Sequence, residues 1–343
     1  MLWLWHIRYR FIAPFASLIE PFLRPSWHRG KRASTSLERA DIRLPIDKRR
    51  FERRYYISLW QSFRMLQFAS TAPLESLREF LTRRVPVHGS TTFPELASMD
   101  RGVLITSPHY GAFIICCLKI IFEMHGKKKV HVLYNDPRFT PSNSAYGPLF
   151  QRLGYDVNLL FVGRKGSIAA LKALRRNECV LIMPDVVLDA EQAIAIPFMN
   201  RLLRVMPGTG FFALKGNAII APVYCSPMPD FSVSLRIGNL VDAADYTRAD
   251  DAQTIFATTR TLFQDFEKQY ADMPEHWNYW DRLASQSRPL GDLDVDDPIS
   301  LREALVRRVK SSPKLGAAIP ELEAFLRNLD HPASAAISCT THA

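Results

Sequence analysis

Between residues 102 and 237 the chain alternates six short apolar runs, at 102–107, 130–134, 157–162, 179–183, 218–224 and 232–237, with stretches of helical spacing. Strands that alternate with helices in this way predict an α/β fold, a mixed central sheet flanked by helices. Sheets of that class collect ligands at their strand-to-helix turns. His109, Arg164 and Asp185 all fall at such turns.

The turn at Thr106-Ser107-Pro108-His109-Tyr110-Gly111 carries the strongest chemical signal, because it places a lone histidine between a buried strand and an apolar helix. A histidine there can take a proton from a hydroxyl or amine, since its ordinary pKa lies near neutrality. Such a base works best with a carboxylate that fixes the imidazole tautomer. Five residues on, at the place where such an acid could stand, the chain has Ile114. The amides that follow His109 are candidates to stabilise an oxyanion, and Arg164 or Lys165 to bind a phosphate or sugar-phosphate oxygen. Lys127, Lys128 and Lys129 read as a solvated turn.

Charge is unevenly distributed. Residues 1–84 hold 17 Lys+Arg against 7 Asp+Glu, whereas the remainder balances at 27 of each, so the whole net charge of +10 belongs to the N-terminal part. A basic arm can meet nucleic acid, an anionic membrane or an acidic carrier protein. Trp3, Trp5, Phe11, Phe15 and Phe22 among its arginines favour the membrane, and no nucleic-acid motif is present. Arg8, Arg10, Pro14 and Glu20 interrupt the apolar run short of the ~20 residues a spanning helix needs. Residues 1–30 are therefore expected to lie in an interface, peripheral to the cytoplasmic face of the membrane, with residues 1–25 holding the protein there without spanning, so that carbonate or high salt releases it. No signal peptide is evident. Five cysteines without metal spacing or a disulfide rhythm fit a reducing compartment, with Cys116 and Cys117 packing as small apolar residues.

Residues 31–84 read as helices, with Leu59, Trp60, Phe63, Leu66 and Gln67 at helical spacing on the face expected to meet the core. Residues 85–285 form the expected α/β domain. Beyond it, 286–343 reads as an extension: an acidic loop at 292–297, short helices at 299–310 and 320–329, and a disordered tail.

Four blocks, in order, carry a resemblance to a known family: His109 with Gly111; Gly163-Arg164-Lys165-Gly166-Ser167 with the helix at 169–178; 180–185 with 196–199 and 206–214; and 274–283. On these residues the chain, from 35 to about 283, resembles the bacterial lipid A biosynthesis acyltransferases, a branch of the lysophospholipid acyltransferase superfamily. The resemblance implies a glycerolipid acyltransferase-like fold with His109 and Asp185 catalytic. It implies substrate contacts at Gly111, Arg164, Lys165 and Gly208, and no cofactor or metal. The family's H-x4-D/E motif is matched at His109 and Gly111 and not at Ile114, where its acid is expected.

Three readings of that departure stand open. Asp185, Asp189 or Glu191 approaches His109 from another strand; or the acceptor is a better nucleophile, such as an amine; or the fold has outlived the reaction. The expected function is transfer of an acyl chain from an acyl carrier protein or CoA thioester to a hydroxyl or amine of a lipid, glycolipid or specialised metabolite. The partners are then the carrier protein and the membrane surface, and not nucleic acid. The alternative is a degenerate member that binds an acyl chain or carrier protein as a partner subunit.

Overall fold

The computed structural model describes residues 27–185, 193–246 and 251–289. The expected interfacial segment at 1–25, Asp189, Glu191 and the features expected beyond 289 lie outside them.

The six apolar runs become strands close to their expected limits: β2 (Gly102–Thr106), β3 (Val130–Tyr134), β4 (Val157–Phe161), β5 (Cys179–Ile182), β8 (Ala218–Pro227) and β9 (Val233–Ile237). With β1 (Val87–His88) and β10 (Val241–Asp242) they form an eight-stranded mixed sheet of order β1-β9-β8-β2-β5-β3-β4, in which β10 also pairs with β8. The β8-β2-β5-β3-β4 stretch is parallel throughout, so its strands share one C-terminal edge. Their side chains explain the unbroken apolar pattern: β2, β3, β5 and β8 are buried on both faces.

Helices α1 (Trp27–Arg39), α2 (Lys48–Thr71), α3 (Leu74–Arg83) and α4 (Phe93–Ser98) precede or flank the sheet. Asp47 caps α2 by accepting the Arg50 amide, and Thr92 with Glu95 closes a capping box on α4. The crossovers carry α5 (Phe113–Met124), α6 (Tyr146–Gln151) and α7 (Arg164–Arg175), followed by α8 (Gly208–Gly216), α9 (Asp251–Asp272) and α10 (Trp280–Gln286). Gly166 is required where α7 meets β4, because a Cβ there would run into the Phe161 carbonyl.

Three local readings need correction. On α2 the fully buried row includes Phe51, Tyr55, Ser58, Met65 and Phe68; Leu59, Trp60 and Leu66 of the expected row pack against the core half-buried, while Phe63 is 42% exposed. Both rows have helical spacing on a helix that is apolar around much of its girth, so periodicity alone cannot choose between them. Lys128 is not solvated; it is buried and donates to the carbonyls of Met99, Arg101 and Asn177, tying three loops together. Burial pulls its pKa below the usual lysine value. Finally, a second sheet of β6 (Ile194–Phe198), β7 (Arg201–Val205) and β11 (Ser287–Pro289) has no counterpart among the apolar runs read as strands. Pro197, Arg201 and Arg204 break its apolar pattern, and Arg201 is buried by donating to the Ala40 carbonyl and to Ser287.

Cys116, Cys117, Cys179 and Cys225 are free thiols packed in the core. Burial pushes the Cys179 thiol up to about 12, which keeps it from acting as a nucleophile.

Candidate active site

The site grows out of the register between β2 and β5. Thr106 and Ile182, the last residues of these strands, are partners in the parallel ladder. The Ser107 amide then donates to the Ile182 carbonyl at 3.0 Å and holds the two exits together for one more residue. His109 and Asp185 each lie three residues past the paired position.

They meet there. The Asp185 carboxylate places Oδ1 at 2.8 Å from Nδ1 of His109. Its Oδ2 accepts the backbone N–H of His109 at 2.9 Å and the indole N–H of Trp277 at 3.0 Å. A carboxylate can only accept, so Nδ1 carries the proton, and in the neutral ring Nε2 then holds the lone pair. The Asp185 side chain is 1% exposed and the imidazole 18% exposed, so the acid is sealed while the base remains reachable. Phe113 and Tyr279 flank the ring at centroid distances of 5.0 and 4.9 Å. Burial, reinforced by the Asp185 charge, raises the Tyr279 hydroxyl well above its ordinary pKa and keeps it neutral.

The turn is closed from behind by residues 276–278. The Asn278 amide donates to the His109 carbonyl at 3.0 Å, and the Gly111 amide to the His276 carbonyl at 2.7 Å. Helices α1 and α2 hold this segment in turn. Arg29 and the Tyr55 hydroxyl both donate to the Asn278 carbonyl, and Ser58 Oγ lies 2.7 Å from Nδ1 of His276. Trp277 stacks on Tyr270 at 4.7 Å and meets Trp280 edge-on at 4.7 Å, which fixes its indole N–H on Asp185.

Gly111 has φ +52°, and a Cβ there would run into the Cys225 carbonyl. Of the amides after His109 expected to serve an oxyanion, the first three are already engaged. That of Tyr110 donates to Pro108, that of Gly111 to His276 and that of Ala112 to Cys225. Gly111 thus shapes the turn with an amide already spent. Ile114 is 4% exposed and packs with the apolar core.

Arg164 and Lys165 begin α7 at the same sheet edge, but after β4, three strands from β2 in the order β2-β5-β3-β4. At ~4.8 Å per strand that is about 14 Å. Both residues are exposed. No hydrogen bond, ion pair or ring contact joins either of them to His109 among the described residues. Gly208 begins α8 with open space around it, since a side chain there would come no nearer than 4.0 Å to Phe212 at its Cβ, and no contact ties it to His109. A cleft of about 340 Å³ between 121–130 and 155–157 lies at the opposite edge of the sheet, where β3 and β4 begin, and takes no part in this site. Among the described residues no cluster of His, Cys, Asp and Glu is placed to hold a metal, and no helix is long and apolar enough to cross a membrane.

A family model for the bacterial lipid A biosynthesis acyltransferases matches residues 48–283. The chain belongs to that family. No curated protein matches the chain. The family match runs from the first residue of α2 into α10, and so takes in His109, Asp185 and the closing segment together. The reaction class it brings to these residues is acyl transfer. Trp277, His276 and Tyr279 are the contributors that residue-by-residue reasoning missed. The signal available for them was the block at 274–283, which marks the resemblance without assigning a role.

Proposed function

We propose that this acyltransferase family member is active and that His109 is its general base, oriented by Asp185. The observation that carries this reading is the 2.8 Å contact between Asp185 Oδ1 and His109 Nδ1. On this reading Asp185, reaching over from β5, does the work the resemblance assigns to an acid at position 114. Nε2 takes the proton from the acceptor hydroxyl or amine as that group attacks the thioester carbonyl. Collapse of the tetrahedral intermediate breaks the C–S bond, and the imidazolium returns the proton to the departing thiolate. Asp185 stabilises the transient imidazolium, as orienting carboxylates do. The degenerate-partner alternative loses its motive, because it arose from a missing acid.

The donor is an acyl carrier protein or CoA thioester, and the acceptor a hydroxyl or amine of a lipid, glycolipid or specialised metabolite; no other cofactor enters the reaction. The same reading takes residues 1–30 as the interfacial segment and the protein as peripheral to the cytoplasmic face of the inner membrane, without nucleic-acid binding. Incubation with acyl-loaded carrier protein and a lipid extract, followed by mass spectrometry of the products, should reveal an acylated species that His109→Ala abolishes. Robust transfer by the His109→Ala protein would sink the mechanism.

Trp277 acts as a positioning residue for Asp185. Trp277→Phe keeps an aromatic ring against Tyr270 and removes the N–H on Oδ2. A hydrogen bond to a charged group is worth ~1.5–3 kcal/mol. Turnover should therefore fall by about ten- to a hundredfold with KM unchanged, and the Nδ1 proton resonance of His109 should shift. An unmoved kcat and resonance would reduce Trp277 to a packing residue.

A further inference from the structure

Four large apolar side chains stand out of the surface around the ends of β3 and β4, in the turn after β3, at the exit of β4 and on α7. They are Phe139, 84% exposed, and Phe161, Val162 and Ile168, at 39%, 53% and 46%. They belong to one ridge. The turn after β3 and the turn after β4 are neighbours, since the Val162 amide donates to the Tyr134 carbonyl at 3.0 Å and the Phe161 ring meets Tyr134 at 5.4 Å. Asp136 is the one acid in 134–146, and its charge is met by Arg138 at 2.6 Å. No acid occurs in 157–176. Arg164 and Lys165, between Val162 and Ile168, have no ion-pair partner among the described residues. The ridge thus couples protruding apolar groups to two positive charges that no acid among the described residues meets.

We infer that this ridge is a docking surface for an anionic lipid bilayer, with Phe139, Phe161, Val162 and Ile168 entering the apolar zone and Arg164 and Lys165 meeting lipid phosphates. A bilayer fits better than an acidic protein, because an acidic partner would neutralise the cations and leave Phe139 in water. A side chain that protrudes as far as Phe139, 84% exposed, suits entry into a fluid layer. It joins the active site through ring contacts that run Phe161, Tyr134, Phe150, Tyr146, Phe113, His109, each between 5.0 and 6.4 Å. An unbroken run of ring packing therefore links the docked edge to the base. This inference rests on the acyl-transfer reading only for the purpose of docking; the surface itself is testable without turnover.

The experiment uses the full chain with Cys339→Ser, since the four other cysteines are buried. Phe139→Cys or Val162→Cys is labelled with an environment-sensitive fluorophore, with Lys127→Cys at the opposite sheet edge as control. Vesicles containing phosphatidylglycerol should blue-shift and brighten the labels at 139 and 162 and leave that at 127 unchanged, with a weaker response to pure phosphatidylcholine. Arg164→Gln and Lys165→Gln should each weaken partitioning about fivefold. Sedimentation with vesicles while the labels at 139 and 162 stay unchanged would overturn the inference and assign binding to another surface. A response to acidic carrier protein and not to vesicles would overturn it in favour of a protein partner. Labels already shielded without vesicles would show that the chain or a second copy covers the ridge, and would overturn it too. Loss of transfer in His109→Ala, measured in detergent with unlabelled protein, is a separate result, so a failure of docking and a failure of the chemistry are read in different assays.

Discussion

Asp185→Asn is expected to lower turnover by as much as ~10^4 while the protein stays folded, the scale seen when a catalytic imidazole is held in the wrong tautomer. The hydrogen bonds around Asp185 explain why an amide is so poor a substitute here. Two donors, the His109 amide and the Trp277 indole, converge on Oδ2. An asparagine must turn its carbonyl oxygen toward them, which leaves its NH2 group facing Nδ1. Nδ1 must then accept, the proton moves to Nε2, and the exposed nitrogen that should take a proton becomes a donor. The stability cost is limited to weaker hydrogen bonds at one buried group, about 1–3 kcal/mol. Steady-state turnover compared with the melting temperature checks the split, and nitrogen resonances of His109 report the tautomer directly. A kcat within tenfold of the parent would remove Asp185 from the mechanism.

Acid should destabilise the protein through a histidine that performs no chemistry. His276 is buried beneath the active-site turn, and burial, with a smaller contribution from the Arg54 charge, lowers its pKa from 6.5 to about 3. Ser58 lies on its Nδ1 and the Tyr110 ring packs at 5.4 Å, while the nearby Glu275 is engaged by Arg54 at 3.4 Å. Between pH 6.5 and about 3 the unfolded chain binds a proton that the folded protein refuses, so stability rises with pH across that window and is lost as pH falls through it. The full difference is on the order of 5 kcal/mol. Urea midpoints taken from neutral pH down to about pH 4 should therefore fall more steeply for the parent than for His276→Gln. Parallel curves would show that His276 takes up its proton without unfolding. Because the His276 carbonyl holds the Gly111 amide, transfer activity should fail in acid together with the fold.

The legible parts of this protein were those written in local pattern. Continuous apolar runs disclosed the central strands to within three residues at each end, because strands buried on both faces need apolar residues at successive positions. The turn at His109 was legible for the same reason, as a polar residue at the end of such a run. What failed locally was what polar contacts rescue. β7 carries Arg201 inside the core because Ser287 and the Ala40 carbonyl satisfy its guanidinium, and Lys128 is buried because three carbonyls converge on it. Neither partner set is near in sequence, so local pattern placed Lys128 in a solvated turn and gave no sign of β7.

The sequence by itself determined an α/β chain with a lone histidine at a strand exit, and it named Asp185 among three acids able to serve that histidine. Only the tertiary structure decided the pairing. Strand order is set by how crossover helices pack, and it makes β5 the neighbour of β2, although β3 and β4 intervene in the chain. The Thr106–Ile182 register then delivers two residues 76 positions apart to one hydrogen bond. The same order carries Arg164 away, since β4 lies at the end of the sheet. A strand-to-helix turn is a local property, but which turns meet depends on the lateral order of strands, and no local pattern records it.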